Sequence, residues 1–251
     1  MELFQQLKLK LKKLLVNRKH MPANLAYDLW APTYDQQPHN LVVYLNEIIF
    51  DEIIGTIDIE NKIVVDIGCG TGRHWKKIYS KKPAELIGYE VSNEMLCQLR
   101  RKYPQAKTYI SNNNCLNELS NESCDIIISS LVIGHIADLT TTFSEWNRVL
   151  KRNAEIFITD FHPDMLSKGA NRSFQHNDEF ISIKTYRHTI SGIIHLAKSL
   201  NWEFVKIAEK KIDDSVKHFY KGPQSLEVFE KSINDPLVFG CLFRKKDKRL
   251  V

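Results

Sequence analysis

Val64–Trp75 reads VVDIGCGTGRHW: β-branched residues, one acid, three glycines in five positions, then a basic and aromatic run. The apolar start suits a buried strand, and the glycines suit a turn in which backbone must approach a ligand closely or adopt positive φ. From residue 62 onward, short β-branched runs alternate with helical periodicity. Strands are expected near 62–67, 85–91, 107–110, 124–130 and 154–160, and helices near 72–80, 92–102 and 138–151. Ser92 and Asp138 suit N-caps, and Pro104 ends the second of these helices. Such alternation implies βαβ units, a parallel sheet covered on both faces, and a ligand site at the strands' carboxyl ends. Beyond residue 160 the rhythm changes. Residues 161–184 are polar and irregular, a candidate lid, followed by an expected helix (188–200) and strands (202–208 and 237–244).

The composition is that of a soluble globular chain: 251 residues, 43% hydrophobic and 26% charged. The net charge of +5 gathers largely in two runs, Leu7–Lys19 (LKLKLKKLLVNRK) and Arg244–Arg249 (RKKDKR), so it does not mark the whole surface as nucleic-acid binding. Five scattered cysteines without a CxxC pair point to reduced thiols in a cytoplasmic protein, and no apolar run reaches the roughly 20 residues of a membrane span. Residues 3–16 can form an amphipathic helix with Leu3, Leu7, Leu11, Leu14 and Leu15 on one side, read here as packing on its own domain.

The glycine turn discriminates among ligands. A dinucleotide loop needs glycine at position 73, where Arg73 stands, and a phosphate-binding P-loop needs a Lys-Ser/Thr pair that GRHW lacks. Asp66 before the glycines suits a ligand with a cationic amine, because a carboxylate would repel a diphosphate; S-adenosylmethionine is such a ligand. Glu90 closes the second strand 24 positions later, where a carboxylate can accept from both ribose hydroxyls.

VVDIGCGTGRH, IGYEVSNEML, SCDIIISSLVIGHI and FSEWNRVLKRNAEIFITDFHP, in that order across about residues 60–163, resemble the class I S-adenosylmethionine-dependent methyltransferases of small molecules. The resemblance implies an α/β fold with a doubly wound seven-stranded sheet, order 3-2-1-4-5-7-6, the seventh strand antiparallel and a lid inserted after the fifth. It divides the chain into an N-terminal helical segment (1–60) covering the cofactor and a cofactor-binding domain (61–251) with a substrate lid at 162–187. It implies S-adenosyl-L-methionine as cofactor, with Asp66, Gly68, Cys69, Gly70, Gly72, Glu90, Val91, Ser130 and Leu131 around it. AYDLWAPTYD (Ala26–Asp35) resembles the segment that covers the methionine end, which implies cofactor contacts from Tyr27, Trp30 and Tyr34. Where many members carry an acid after the third strand, this chain has SNNNCLNEL, so Asn112, Asn113 or Asn114 takes its place. Asn153-Ala154 replaces the usual glycine pair, and asparagine tolerates the left-handed conformation.

Methyl transfer is an in-line displacement that needs alignment more than a nucleophile, and a histidine can serve as base for a protic acceptor. The candidates are His162, then His188, then His135, all near the expected carboxyl edge. His74 and Trp75 are expected to pack beside the adenosine, and Arg172, Lys184 and Arg187 to keep the lid solvated. No Asp/Asn cluster calls for a metal. The expected partner is a small-molecule acceptor. The alternatives are nucleic-acid or protein methylation, or a non-catalytic S-adenosylmethionine-binding protein. SSLVIGHI lacks the NPPY-like run of base-amino methyltransferases, which disfavours nucleic acid; a membrane surface is a lesser alternative, and the oligomeric state is left open.

Deletion of residues 1–19 is expected to lower the melting temperature and leave sedimentation with anionic vesicles negligible before and after. Vesicle binding that disappears with the deletion would instead assign the basic segment to a membrane surface.

Overall fold

The computed structural model describes residues 18–37, 39–111, 115–177 and 179–247. Asn112, Asn113 and Asn114 and the amphipathic stretch 3–16 lie outside them. The elements in chain order are β1 (Arg18–Met21), α1 (Ala23–Trp30), α2 (Leu41–Ile54), β2 (Ile63–Ile67), α3 (Trp75–Ser80), β3 (Glu85–Glu90), α4 (Asn93–Lys102), β4 (Lys107–Ile110), β5 (Cys124–Ser130), α5 (Leu139–Val149), β6 (Leu150–Phe161), α6 (Pro163–Ser167), β7 (Ser173–His176), β8 (Glu179–Ile183), α7 (Ile190–Ser199), β9 (Trp202–Lys211), α8 (Pro223–Ser232) and β10 (Pro236–Lys245).

Seven strands form one sheet in the order β4-β3-β2-β5-β6-β10-β9. The first five run parallel, and β10 pairs antiparallel with both β6 and β9. The alternation of side chains along β2 sends Val64 into one apolar cluster and Val65 and Ile67 into another. The first holds Ile49, Phe50 and Ile53 of α2 with Trp75 and Ile78 of α3; the second holds Phe143 and Trp146 of α5 with Ile193 and Ala197 of α7. Burial on both faces explains why the central strands read as unbroken apolar runs. The expected caps form: Ser92 Oγ accepts from Met95 N, and Asp138 accepts from Thr140 N and Thr141 N. Asn153 takes the left-handed conformation with φ 59°.

Residues 161–184 are more regular than the sequence suggests. Within them β7 and β8 form a hairpin, and β1 adds parallel to β8 to make a second, three-stranded sheet. These short strands are legible only once paired, since β1 stands some 160 residues away from β8. The small sheet sits with α1 over the carboxyl edge of the large one: Trp30 stacks on Phe174 of β7 with centroids 4.5 Å apart. Among the described residues, no helix is long and apolar enough to cross a membrane.

Trp75 is fully buried at the start of α3, where its Nε1 donates to Asp66 Oδ2 at 2.8 Å. Gly88 on the neighbouring strand leaves room for this ring, since a Cβ there would lie 2.8 Å from Trp75 Cζ2 and 2.7 Å from Cys69 Sγ. Asp66 thus joins β2 to α3 beneath the glycine turn. Burial pushes its carboxyl up to about 7, opposed by the Trp75 bond and assisted by the Glu90 charge. The folded protein therefore binds a proton at Asp66 that the unfolded chain has released, over the window from about pH 4 to about pH 7. Its contribution to stability is complete below that window and is lost as pH rises through it. Asp66→Asn, whose amide oxygen can accept the same bond, is expected to stabilise the protein more at pH 8 than at pH 5, by on the order of 2–3 kcal/mol. Urea denaturation at the two pH values checks this, and an equal effect at both would contradict it.

Candidate functional site

The turn after β2 is tied to the end of β3. Gly68 N and Cys69 N both donate to the Tyr89 carbonyl, at 2.7 and 3.1 Å, and Gly70 N donates to Glu90 Oε2 at 3.0 Å. Gly68 and Gly70 hold φ of 67° and 52°, a region glycine enters without a Cβ penalty. A Cβ on Gly68 would run into Val132 Cγ2 at 2.3 Å, whereas one on Gly70 would meet nothing closer than the Gly68 carbonyl at 4.0 Å. Gly68 is therefore required by packing, and Gly70 leaves open space in front of the turn. Glu90 Oε1 accepts from Val91 N and Ser92 N, so both carboxylate oxygens are engaged by backbone amides. Burial raises the Glu90 pKa, and those three bonds oppose the rise.

The turn, Glu90 and the end of β5 form one wall of a cleft of ≈740 Å³, part of it open to solvent, between β2 and β5, where the chain order of the sheet reverses. Among the sequence candidates, Tyr27, Tyr34, Gly68, Gly70, Glu90, Val91, Ser130, Leu131 and His135 line it. Asp66, Cys69 and Gly72 lie behind this surface: Asp66 against Trp75, Cys69 buried beside Gly88, and Gly72 against Leu99. Trp30 lines an adjoining chamber of ≈500 Å³ that shares Tyr27, Tyr34 and Leu131 with the cleft. Trp75 belongs to the core rather than to the cleft, and His74 is stacked on Phe50, with Nε2 3.2 Å from Ser130 Oγ. Burial holds the His74 pKa well below the ordinary value.

The α1 segment is fastened over the cleft by two acids that pattern reading passed over. Asp28 Oδ1 accepts from Ser92 Oγ at 2.6 Å and from Glu94 N, while Asp35 accepts from Thr71 Oγ1 at 2.7 Å and pairs with Lys102. Both stand inside the quoted AYDLWAPTYD, where two carboxylates among aromatics are the signal.

The three histidines part company. His162 is buried beside β10, with Nε2 2.9 Å from Glu209 Oε1, and its Nδ1 caps α6 by accepting from Asp164 N. His188 Nε2 donates to the Ile136 carbonyl at 2.8 Å. Neither lines the cleft. His135 does, with Nδ1 facing the Lys184 carbonyl at 3.1 Å; that contact places the proton on Nδ1 and leaves Nε2 as acceptor. Nε2 lies 3.0 Å from both the Tyr27 hydroxyl and Arg172. Burial, and next the Arg172 charge, push the His135 pKa down to about 4, so the ring is neutral at physiological pH.

Arg172 overturns the expectation of a solvated lid cation. Its side chain is only 11% exposed, and it reaches from the start of β7 to Asp160 Oδ1 at 3.0 Å, to the Tyr27 hydroxyl and to the Leu131 carbonyl. Asp160 Oδ2 in turn accepts from Gly134 N at 2.7 Å. Burial works against the Arg172 charge, yet Tyr27 and Asp160 hold its pKa above the ordinary arginine value. Tyr27 is pushed up to about 12 by burial, with Arg172 opposing, and keeps its proton. Sequence reading had passed over Asp160, although an acid inside the apolar run IFITDF is a legible anomaly. Among the described residues, no group of three or more His, Cys, Asp or Glu side chains is placed to hold a metal ion.

Known proteins share sequence and fold with this chain. Residues 65–158 match the model of a methyltransferase domain family. The biotin biosynthesis bifunctional protein BioHC of Cellvibrio japonicus is 28% identical over 123 residues, 49% of this chain and 24% of that protein. A ribosomal RNA small subunit methyltransferase A of Mycoplasmopsis pulmonis is 22% identical over 232 residues, 81% of this chain and 92% of that protein. The chain spans less than two thirds of the length of most curated relatives it matches. Among solved structures, an S-adenosylmethionine-dependent methyltransferase from Mesorhizobium loti shares the fold with a TM-score of 0.62 at 13% identity, covering 78% of this chain and 96% of that one. The domain match over residues 65–158 and the seven-stranded α/β sheet make the chain similar, in that domain and in fold, to S-adenosylmethionine-dependent methyltransferases.

Proposed function

We propose that the chain transfers the methyl group of S-adenosylmethionine to a small-molecule acceptor. The observation that carries this reading is the pair of adjacent cavities: a cleft over the glycine turn and Glu90, and a separate chamber beside it, with Tyr27, Tyr34 and Leu131 lining both. A donor and an acceptor held on either side of those residues would meet in line, out of water.

The residues fit the donor. The open space at Gly70 admits a ligand against bare backbone, and Glu90 Oε2, which accepts from Gly70 N alone, keeps a lone pair for a ribose hydroxyl. Tyr27 and Tyr34 present ring surface where a sulfonium would sit, a contact of about 0.5–2 kcal/mol. Ser111, the last described residue before Asn112–Asn114, lines the same cleft. When bound, the cofactor supplies an electrophilic methyl group whose departure leaves a neutral thioether. The protein's part is alignment. Neutral His135, fixed by the Lys184 carbonyl, orients the Tyr27 hydroxyl, and a protic acceptor, cationic once methylated, gives its proton to bulk water rather than to a histidine base. Residues 18–37 and the hairpin within 162–187 act as cover and lid, joined through Trp30 and Phe174.

The match to a ribosomal RNA methyltransferase favours a second reading, nucleic-acid methylation. The apolar, buried run Leu131, Ile133 and Ile136 after β5 and the covered chamber support the small molecule instead.

The test is transfer of tritium from S-adenosyl-[methyl-³H]methionine in boiled cell extract. Label is expected in the small-molecule fraction; label in acid-precipitable RNA or protein would overturn the acceptor class. By calorimetry, Gly70→Ala is expected to lose most S-adenosylhomocysteine affinity in a folded protein, and Glu90→Gln to weaken it by about 1.5–3 kcal/mol. Unchanged affinity in both would remove the cofactor from this cleft. Trypsin cleavage within residues 18–37 is expected to slow when S-adenosylhomocysteine is added, because the ligand favours the covered state; equal rates would make the segment purely structural.

A further inference from the structure

The guanidinium of Arg172 is only partly used by the fold. Nη1 donates to the Tyr27 hydroxyl and the Leu131 carbonyl and lies 3.0 Å from His135 Nε2, while Nη2 donates to Asp160 Oδ1 at 3.0 Å. A guanidinium carries one hydrogen on Nε and a pair on each Nη. The Nε hydrogen and one Nη2 hydrogen therefore have no partner among the described residues. Donors left unpaired on a side chain only 11% exposed are unfavourable until an acceptor reaches them.

The counter-ion is turned elsewhere. Asp160 accepts from Gly134 N through Oδ2 and from Phe161 N through Oδ1, both at 2.7 Å, so two backbone amides draw on the charge it offers Arg172. It does not line the chamber, and neither does any other Asp or Glu among the described residues. Arg172 is also the one Lys or Arg among the described residues that line it. Asn171 and Ser173, on either side of Arg172 in the chain, add side chains that make no hydrogen bond among the described residues. The rings of Trp30, Tyr34 and Phe161 supply apolar wall, and the Arg172 guanidinium carbon lies 5.9 Å from the Phe161 centroid.

One fixed cation, spare donors and no acid favour a ligand with a single negative charge. A cationic group would meet Arg172 with no carboxylate facing it, and a phosphate dianion would find no second cation. A carboxylate is planar, monoanionic and matched to two N–H groups of one guanidinium. We propose that the methyl acceptor bears a carboxylate, held in the chamber by the unpaired Nε and Nη2 hydrogens of Arg172, with an apolar body against Trp30 and Phe161. This rests on the methyltransferase reading and narrows its acceptor to small organic acids.

The test uses benzoate, its neutral counterpart benzamide and inorganic phosphate, titrated calorimetrically into the intact protein with and without S-adenosylhomocysteine. Benzoate is expected to bind at least about tenfold more tightly than benzamide, because hydrogen bonds to a charged group outweigh neutral ones. Phosphate is expected to leave the benzoate titration unchanged. Asn171→Asp puts a like charge beside the site without removing any bond that holds Arg172, and is expected to abolish the preference in a folded protein. Arg172→Lys keeps the charge, loses the fork and is expected to abolish it as well. Arg187→Gln removes a lid cation that does not line the chamber and is expected to preserve it. No preference for benzoate in the unmodified protein, displacement of benzoate by phosphate, or a preference that survives both Asn171→Asp and Arg172→Lys would overturn the proposal. The two readings fail separately. Absent S-adenosylhomocysteine binding would remove the donor assignment while the benzoate preference still judges the chamber, and intact binding without that preference would remove the carboxylate alone.

Discussion

The Gly70 amide and the Glu90 carboxylate meet at 3.0 Å, and this contact couples the two strand ends on which the site is built. It requires a turn with positive φ after β2, an acid at the last position of β3, and a sheet in which those strands are neighbours. The same carboxylate collects the amides of Val91 and Ser92 and so sets the start of α4, to which Asp28 then fastens the covering segment. Burying such an acid is unfavourable unless its oxygens are engaged, and three backbone amides engage them. The backbone geometry and the polarity of the cleft are thus one constraint.

A second polar network stands across the cleft. Arg172, Asp160, Tyr27 and His135 come from four separate places in the chain and are joined by bonds near 3 Å. A buried ion pair of this kind adds little net stability against an apolar replacement, but removing one partner strands the other. Its effect here is positional. It holds the β7–β8 hairpin, the end of β6 and α1 in one register around the residues that line both cavities. Leu131, at φ 62°, gives its carbonyl to Arg172, which places an unusual backbone conformation among those residues.

Much of the large sheet was legible because its strands are buried on both faces and punctuated by turns. The expected 124–130 and 107–110 coincide with β5 and β4, and 85–91 differs from β3 by one residue. The second sheet was not legible: β1, β7 and β8 are four or five residues long, and their pairing spans most of the chain. In the site, the local motif residues Gly68, Gly70 and Glu90 line the cleft. Asp66 did not, because a strand's alternation sends its side chain behind the turn, toward Trp75. Histidine ranking from sequence favoured His162 for its strand-end position, yet strand ends have two sides, and His162 faces Glu209 and the cap of α6. The Arg172–Asp160 pair needed tertiary structure, since a cation in a polar segment reads as solvated until its partner is seen.

The central claim is that one ligand lies between the glycine turn and the covering segment. Hydrogen–deuterium exchange with and without S-adenosylhomocysteine tests it most directly, because the two regions are remote in sequence and meet only across the cleft. The account predicts that the ligand slows exchange both in residues 66–74 and in residues 23–37. Slowing in neither region, or at a surface away from both, would contradict it.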